Sequence, residues 1–238
     1  VANVTPDEHL PFVGKSAFAH KGGVHVAAMR RSAQSYQHVA PELVGNKMRV
    51  VVSDLSGRGN LLSKAEEHGV EVEGDEVIPV LNEIKELEAR GFSFEAADAS
   101  VAMMLKRQEM YYQPPFELID FLVNVEHRTG RGIFAEAMVK VRVKGEVLHT
   151  AAEGNGPVNA LDIALRKALV PTYPQLAMFH LADYKVRILD SDNGTQATTR
   201  VLIDTQNRTQ RWSTLAASAN ILEARWLALL DSVASRLL

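Results

Sequence analysis

The chain has 238 residues, no cysteine, a net charge of −3 and a pI near 6.3. This length allows one large or two ordinary domains, and the lack of cysteine excludes disulfides and thiolate metal sites. The charge balance argues against a general nucleic-acid or membrane surface role, so we expect neither partner and a cytoplasmic location.

The N-terminus carries no targeting signal. Val1-Ala2-Asn3 does not begin a basic region followed by an apolar core, and no apolar run approaches the roughly 18 residues of a membrane helix. The chain also lacks an initiator methionine, which indicates processing or excision from something longer.

Residues 1–113 are expected to form a small, mostly helical subdomain. Apolar residues at helical spacing, with Gly69 and Gly91 as stops, mark the helices. The predicted helices are Val24–Arg31, Asn60–His68, Asp75–Arg90 and Glu95–Arg107, with a short strand or extended segment at Met48–Ser53. Gln113-Pro114-Pro115 breaks this pattern, because proline donates no backbone hydrogen bond, and we place the domain boundary there.

Residues 114–238 change to a period of two and are internally duplicated. Val139, Val141 and Val143 alternate with basic residues, which predicts a half-buried strand. Residues 117–170 are echoed by residues 181–234 at an offset of 64, which aligns Thr150 with Thr214 and Leu165 with Leu229. Each copy is predicted to form three strands and an amphipathic helix, with turns at residues 129–132 and 191–194. The predicted fold class is therefore α+β, with helices packed on one-sided antiparallel sheets.

Two histidines and two glycines stand together in Ala19-His20-Lys21-Gly22-Gly23-Val24-His25, with Tyr36 eleven residues further on. Histidine is the usual general acid or base near neutral pH, although composition alone favours a structural role. The five-residue spacing of His20 and His25 differs from the i, i+4 spacing of helical metal ligands. We expect no metal site in this chain.

The segment Asp54–Asn60 is rich in glycine and opens a helix. It matches neither a dinucleotide fingerprint nor a P-loop, and we interpret it as a helix start capped by Ser56 or Asn60.

The two copies each pass from a third strand into a helix, at Glu153–Pro157 and at Ala217–Asn220. A helix N-terminus with glycines can bind a carboxylate, and Pro157 suits a first helical turn. Two such starts framing a seam would suit a small acidic or zwitterionic ligand. Ligand binding and simple capping both remain open from the residues alone.

Five segments together resemble one family, the citramalate and 2-isopropylmalate synthases, which are acyl-CoA condensing enzymes. They are AFAHKGGVH (17–25), SYQHVAPELVGN (35–46), VSDLSGRGN (52–60), GNGPVNALDIALRKAL (154–169) and WSTLAASANILEARWLALLDS (212–232). The resemblance covers essentially the whole chain in the same order. It implies the C-terminal part of such an enzyme: a helical linker subdomain, then an allosteric regulatory domain.

The resemblance also implies what lies elsewhere. The family's catalytic (β/α)8 TIM barrel, with its divalent metal and 2-oxoacid-binding arginine, would precede Val1, and it needs about 250 residues. We therefore expect this chain to lack the barrel, to hold no cofactor and to be inactive alone. Acetyl-CoA and a 2-oxoacid would be substrates of the full-length enzyme only.

Roles for particular residues follow from the same resemblance. By motif position, His25 and Tyr36 resemble the linker residues that reach the active site of the partner chain's barrel. Arg58 and Asn60 match a family motif, and we favour a structural role for both. The regulatory domain of the family binds a branched-chain amino acid at a homodimer interface. The implied effector residues are Gly154, Asn155, Gly156, Pro157, Leu161, Ala217, Ser218, Asn220 and Ile221.

Two motifs, HKGGVH and VSDLSGR, resemble those of citramalate synthases more than those of 2-isopropylmalate synthases. It favours pyruvate as the oxoacid and isoleucine as the effector, with 2-oxoisovalerate and leucine as the alternative. A freestanding amino-acid sensor or dimerisation module is a second class of interpretation. Residues 1–113 argue against it, because a pure sensor has no use for HKGGVH and Tyr36.

Overall fold

A computed structural model of the chain describes residues 7–14, 16–37, 39–130 and 132–238. Arg131, within the first predicted turn, and Val1 lie outside the described residues. The chain divides into two compact units, Val1–Met110 and Tyr111–Leu238. Within the described residues, no helix is long and apolar enough to cross a membrane.

The first unit is mostly helical, as predicted. Its two short strands pair in parallel, Ala19 with Arg49 and His20 with Val50. The elements are β1 (Ala19–His20), α1 (Gly23–Arg31), β2 (Arg49–Val50), α2 (Arg58–His68), α3 (Val77–Ala89) and α4 (Asp98–Lys106), with 3-10 turns at Ala33–Ser35, Pro41–Val44 and Gly74–Glu76.

The core of this unit combines apolar helix faces with one buried cation. Val77, Val80 and Ile84 of α3 are fully buried. The Lys64 side chain is also fully buried, and its Nζ lies 2.8 Å from Glu67 Oε2 and 3.2 Å from Asp98 Oδ1. A buried ammonium is tolerated when carboxylates surround it, so this group fastens α2 to the start of α4.

Three predicted elements are shorter than expected. The helix predicted from Asp75 starts with a 3-10 turn, and α3 begins at Val77. Pro79 has no N–H to donate to the Asp75 carbonyl, so the α-helical pattern cannot run through that turn. The helix predicted from Glu95 begins at Asp98, and the Met48–Ser53 segment is a strand only at Arg49–Val50.

The second unit consists of two βββα copies, which confirms the α+β class. Each copy has a three-stranded antiparallel sheet in the order of the chain. The elements are β3 (Glu117–Arg128), β4 (Gly132–Val143), β5 (Glu146–Gly154), α5 (Pro157–Leu169), β6 (His180–Ile188), β7 (Thr199–Gln206), β8 (Arg211–Ser218) and α6 (Ile221–Ala234).

The strand register shows where the 64-residue offset applies. β5 pairs with β4 through Thr150 and Val139, and β8 pairs with β7 through Thr214 and Ile203, at an offset of 64 in both strands. The bulge of the first strand lies after Leu118 in one copy and after Leu181 in the other, which is an offset of 63. The connection before β7 takes up the extra residue, and its Ser191–Gln196 segment forms a 3-10 turn with Gly194 at a φ of 56°.

Each helix packs an apolar stripe on its own sheet. In α5, Leu161, Leu165 and Leu169 are buried and Val158 is half-buried. In α6, the buried residues include Trp226, Leu229 and Val233, while Leu222 is half-buried. The helices lie against the second and third strands of their sheets, so the first strand of each sheet is the least covered by its own helix.

Candidate functional site

In the first unit, two chain segments cross at Gly23. A Cβ atom on Gly23 would lie 3.0 Å from the Gly57 nitrogen and 3.2 Å from its Cα. The Gly23 N–H donates a 3.3 Å hydrogen bond to the Leu55 carbonyl. The start of α1 therefore rests directly on the loop before α2, and a side-chain carbon here would need the Gly57 backbone to shift by a few tenths of an ångström.

Asn60 holds these two chain segments together through hydrogen bonds to both. Its side chain is fully buried, and its Nδ2 donates to the carbonyls of Lys21, at 2.9 Å, and Val51, at 3.3 Å. Its Oδ1 accepts the Gly57 N–H at 3.2 Å. Because all three of these hydrogen bonds go to backbone groups, the Asn60 side chain has the structural role that we favoured. Arg58, by contrast, is exposed and pairs with Asp75 at 2.8 Å.

The predicted cap of α2 needs a correction in detail. The N-cap residue is Gly57, and Ser56 precedes it. Ser56 Oγ instead accepts the Ser53 N–H at 2.9 Å, which closes the loop that leads into the helix. Asn60 supplies the predicted polar contact from the third helical position, because its side chain reaches back to the N-cap backbone.

His25 and Tyr36 stack on each other. Their ring centroids are 4.2 Å apart, at an interplanar angle of 28°. His25 is exposed in the first turn of α1, and Tyr36 is 48% exposed just after the following 3-10 turn. Ser35 Oγ donates to the carbonyls of Ser32, at 2.6 Å, and Ala28, at 3.3 Å, which folds the Tyr36 segment back on the helix. The structure thus brings together the two residues to which the resemblance assigns catalysis, and leaves both rings open to solvent.

His20 lies close enough to His25 for the two imidazoles to interact electrostatically. Burial lowers the pKa of His20, and the neighbouring His25 lowers it further. Its Nε2 is buried and has no hydrogen-bond partner among the described residues. Lys21, the next residue, forms an ion pair with Glu95, and this hydrogen bond is the main reason that the pKa of Lys21 is raised. The site therefore favours the neutral form of the His20 imidazole and the charged form of the Lys21 ammonium.

In the second unit, the start of α6 is closed by its own side chains. Asn220 Oδ1 accepts the N–H groups of Leu222, at 2.9 Å, and Glu223, at 3.4 Å. Ser218 Oγ donates to the Glu223 carboxylate and accepts the Asn220 N–H at 3.0 Å. This start follows the capping interpretation, with Asn220 as the N-cap residue.

The start of α5 is built differently. Its N-cap is Gly156, no side chain caps it, and Pro157 occupies the first helical position. Asn159 Oδ1 turns back to accept the Asn155 N–H at 3.2 Å. A Cβ atom on Gly154 would lie only 2.6 Å from the Ala160 nitrogen, so β5 touches the first turn of α5. An uncapped helix start of this kind presents backbone donors that suit an anion.

The remaining predicted effector residues have mixed environments. Ala217 is half-buried at the end of β8, and Ile221 is 39% exposed at the start of α6. Leu161 is only 1% exposed and belongs to the core beneath α5. The turn residues lie together within each copy, whereas a ligand could reach Leu161 only by displacing core packing. Their assignment to an effector stays a prediction.

A small cavity lies near the C-terminal halves of both helices rather than at their starts. Its volume of about 10 Å3 is close to the lower limit for one water molecule. It is lined by Arg166, Leu176, Phe179, Leu181, Thr205, Trp212, Leu229, Ser232 and Val233. No local pattern in the sequence predicts this cavity, because its lining comes from five separate segments.

Among the described residues, no group of three or more His, Asp or Glu side chains is placed to hold a metal ion. The paired His25 and Tyr36 rings can exchange protons with a bound molecule, but their arrangement supplies no metal-ligand set.

Comparison with known proteins matches both units. Residues 95–237 match the LeuA allosteric (dimerisation) domain, and residues 12–91 match the domain described as homocitrate synthase post-HMGL domain-like. The first match covers well over half of the chain.

The chain belongs to the LeuA allosteric (dimerisation) domain family.

Among its relatives in this LeuA-domain family, the (R)-citramalate synthase of Geobacter sulfurreducens is 49% identical over 240 residues, which is 100% of this chain and 46% of the relative. The (R)-citramalate synthase of a Synechocystis species is 47% identical over 241 residues, which is 98% of this chain and 44% of the relative. A probable 2-isopropylmalate synthase of Methanopyrus kandleri is 28% identical over 204 residues, which is 85% of this chain and 39% of the relative. This LeuA-domain chain thus spans less than half the length of these relatives and corresponds to their C-terminal part. The family resemblance stated from the motifs is confirmed.

Proposed function

We propose that the chain is the regulatory C-terminal part of an enzyme that condenses acetyl-CoA with pyruvate to citramalate. The observation that carries this proposal is the 49% identity to an (R)-citramalate synthase over the full length of the chain. The alternative, condensation with 2-oxoisovalerate under leucine control, has weaker support, since the 2-isopropylmalate synthase match is 28% identical over 85% of the chain.

The stacked His25–Tyr36 pair would serve the condensation from outside the barrel. Both rings are exposed, so a barrel contributed by a partner chain could receive them. The imidazole would accept a proton from the acetyl methyl group as that carbon bonds to the keto carbon, and would return the proton to the oxygen whose C=O π bond is broken. The phenol would hold the ring and donate a hydrogen bond, and water would then hydrolyse the thioester to release citramalate and CoA. A divalent metal held by the barrel would polarise the keto oxygen.

The catalytic part of the proposal can be tested in the full-length enzyme. We expect His25→Ala to lower kcat by about 10² to 10⁴, the usual range for loss of a general acid or base. His127→Ala, at an exposed histidine of β3, is the matched control and should retain activity. Mixing His25→Ala with a chain whose barrel is inactivated should restore activity, because one partner then supplies the barrel and the other the histidine. Unchanged kcat in His25→Ala would overturn the assignment.

The second unit would provide feedback control as a homodimer that binds isoleucine. The uncapped start of α5 supports this, since free backbone donors at Gly156 and beyond suit the carboxylate of an amino acid. The α6 start, closed by Asn220 and Ser218, would instead form a wall of the pocket. Two copies of one helix start would thus have different roles, one in binding and one in capping.

Calorimetric titration of the 238-residue chain tests the effector. We expect heat on addition of isoleucine, weaker heat with leucine and none with lysine as a polar control. The chain alone should show no condensing activity with acetyl-CoA and pyruvate. A dimeric sample that gives no heat with either branched-chain amino acid would contradict the effector assignment while leaving the catalytic assignment untouched.

A further inference from the structure

Two Asn-Gly pairs occur in the chain, Asn155-Gly156 and Asn193-Gly194. Both lie in the second unit, and both asparagines are exposed. An asparagine followed by glycine is prone to spontaneous loss of its side-chain amide, because glycine has no side chain to shield its backbone nitrogen. The two pairs have different surroundings, and this difference predicts which of them reacts.

The first pair has both reacting groups available. Asn155 lies in the turn between β5 and α5, and its one hydrogen bond among the described residues uses the backbone N–H, which donates to Asn159 Oδ1 at 3.2 Å. The Gly156 N–H donates to no acceptor in the part of the chain that the structure describes. A Cβ atom on Gly156 would meet nothing within 4 Å. The Asn155 side-chain amide and the Gly156 nitrogen are therefore unhindered.

The second pair is held in a closed turn. Asn193 Nδ2 donates at 2.7 Å to Asp190 Oδ2, and Asp190 Oδ1 accepts the Thr198 N–H. A hydrogen bond to a carboxylate is stronger than one between neutral groups, so release of the Asn193 amide is costly. The carboxylate also disfavours a negative charge developing on the neighbouring glycine nitrogen. We therefore expect Asn193 to be protected.

We propose that Asn155 is a site of spontaneous deamidation and that the reaction weakens effector binding at the start of α5. The Gly156 nitrogen attacks Asn155 Cγ, a bond between these atoms forms, and the Cγ–Nδ2 bond breaks. Solvent carries the proton of the Gly156 nitrogen to Nδ2, which leaves as ammonia. Water then opens the resulting succinimide at either of its carbonyls, which leaves aspartate or isoaspartate at position 155.

Either product carries a negative charge at the uncapped start of α5. The helix dipole favours a carboxylate there, and the same backbone donors can accept it as a partner. It therefore competes with the carboxylate of a bound amino acid and repels it. Isoaspartate also adds one carbon to the backbone beside Gly154, where strand and helix are already in contact. The effect on binding rests on the proposed effector site, whereas the deamidation itself does not.

The reaction can be measured at both pairs in one sample. The folded 238-residue chain is held in mildly alkaline buffer, and peptide mapping by mass spectrometry follows the mass gain at each asparagine. We expect Asn155 to convert at least tenfold faster than Asn193. In urea the two sites should convert at similar rates, because the turn that protects Asn193 is lost. Equal rates in the folded chain, or faster conversion of Asn193, would overturn the proposed site.

A variant tests the effect on binding. Asn155→Asp carries the charge of the product, and Asn207→Asp is the matched control, because Asn207 Oδ1 is an acceptor for Thr209 and Gln210 and an aspartate keeps both bonds. In calorimetric titration with isoleucine, we expect the dissociation constant to rise at least fivefold for Asn155→Asp and to stay unchanged for Asn207→Asp.

The outcomes separate the two proposals. An Asn155→Asp chain that binds isoleucine as tightly as the parent would overturn the effect on binding. A parent that gives no heat would overturn the effector assignment and this effect with it, while the mass measurement still decides the deamidation. If the fluorescence of Trp212 and Trp226 shows that Asn155→Asp is unfolded, deamidated parent separated by ion exchange takes its place in the titration.

Discussion

Thr150 and Thr214 make the same hydrogen bond in the two copies of the βββα unit. Each Oγ1 donates at 2.7 Å to a helix carbonyl, that of Ala164 in the first copy and that of Ala228 in the second. Donor and acceptor are both displaced by 64 residues, so the duplication has preserved a contact as well as a pattern. The bond fixes the third strand of each sheet to the middle of its helix.

This bond should stabilise the second unit. Thr214 is fully buried and Thr150 half-buried, and valine keeps their shape without the hydroxyl. We expect Thr214→Val to lower the free energy of unfolding by about 1 kcal/mol and Thr150→Val by less. Both tryptophans, Trp212 and Trp226, lie in this unit, so urea denaturation followed by tryptophan fluorescence reports on it. Thr195→Val, at an exposed position, is the control. An equal loss of unfolding free energy in this control would contradict a stabilising role for the buried hydrogen bond.

Two glycines at the start of α5 should respond in opposite ways. A Cβ atom on Gly154 would lie 2.6 Å from the Ala160 nitrogen and 2.7 Å from Asn159 Oδ1, whereas one on Gly156 meets nothing within 4 Å. We expect Gly154→Ala to cost about 1–3 kcal/mol, because strand and helix must separate. Gly156→Ala should be tolerated, since its backbone is extended. The same fluorescence measurement distinguishes them, and equal stability of the two variants would show that the strand end moves freely.

In the first unit, Asn60 and Arg58 belong to one motif but should differ in importance. Asn60→Ala removes a buried amide that bonds to three backbone groups, and we expect a loss of about 2–3 kcal/mol. Arg58→Ala removes an exposed ion pair with Asp75 and should change stability by less than about 1 kcal/mol. Thermal melting followed by far-UV circular dichroism measures both. A melting point for Asn60→Ala equal to that of the parent would contradict the structural role.

The lowered pKa of His20 has a definite consequence for stability. The folded state disfavours the imidazolium through burial and through His25, so below about pH 6.5, the ordinary histidine value, the unfolded chain binds the proton more readily. Stability from this group is complete above that pH and is lost as the pH falls towards the lowered pKa.

We therefore expect the melting temperature of the parent to fall more than that of His20→Gln when the pH is lowered from 7.5 to 5.5. His9→Gln, at an exposed histidine, controls for the loss of any imidazole and should follow the parent. Parallel pH profiles for the parent and His20→Gln would show that the His20 environment does not influence stability.

The sequence determined those features that depend on neighbours along the chain. The period of Val139, Val141 and Val143 predicted a strand with one buried face, and all three are buried. The 64-residue echo predicted two βββα copies, and the motifs predicted the family. Helix ends depend on single residues: Pro79 lacks one backbone donor, and α3 begins at Val77 rather than at Asp75.

Tertiary structure alone decided which distant groups meet. His25 and Tyr36 stack because Ser35 folds the intervening chain back on α1, and no periodicity encodes that contact. The two helix starts differ because Asn220 caps one while Gly156 leaves the other open. Trp226 covers Phe121 of β3, whereas Tyr184, its counterpart on β6, is 45% exposed. Each outcome depends on side chains that are far apart in sequence and close in space, where packing rather than local pattern sets the energy.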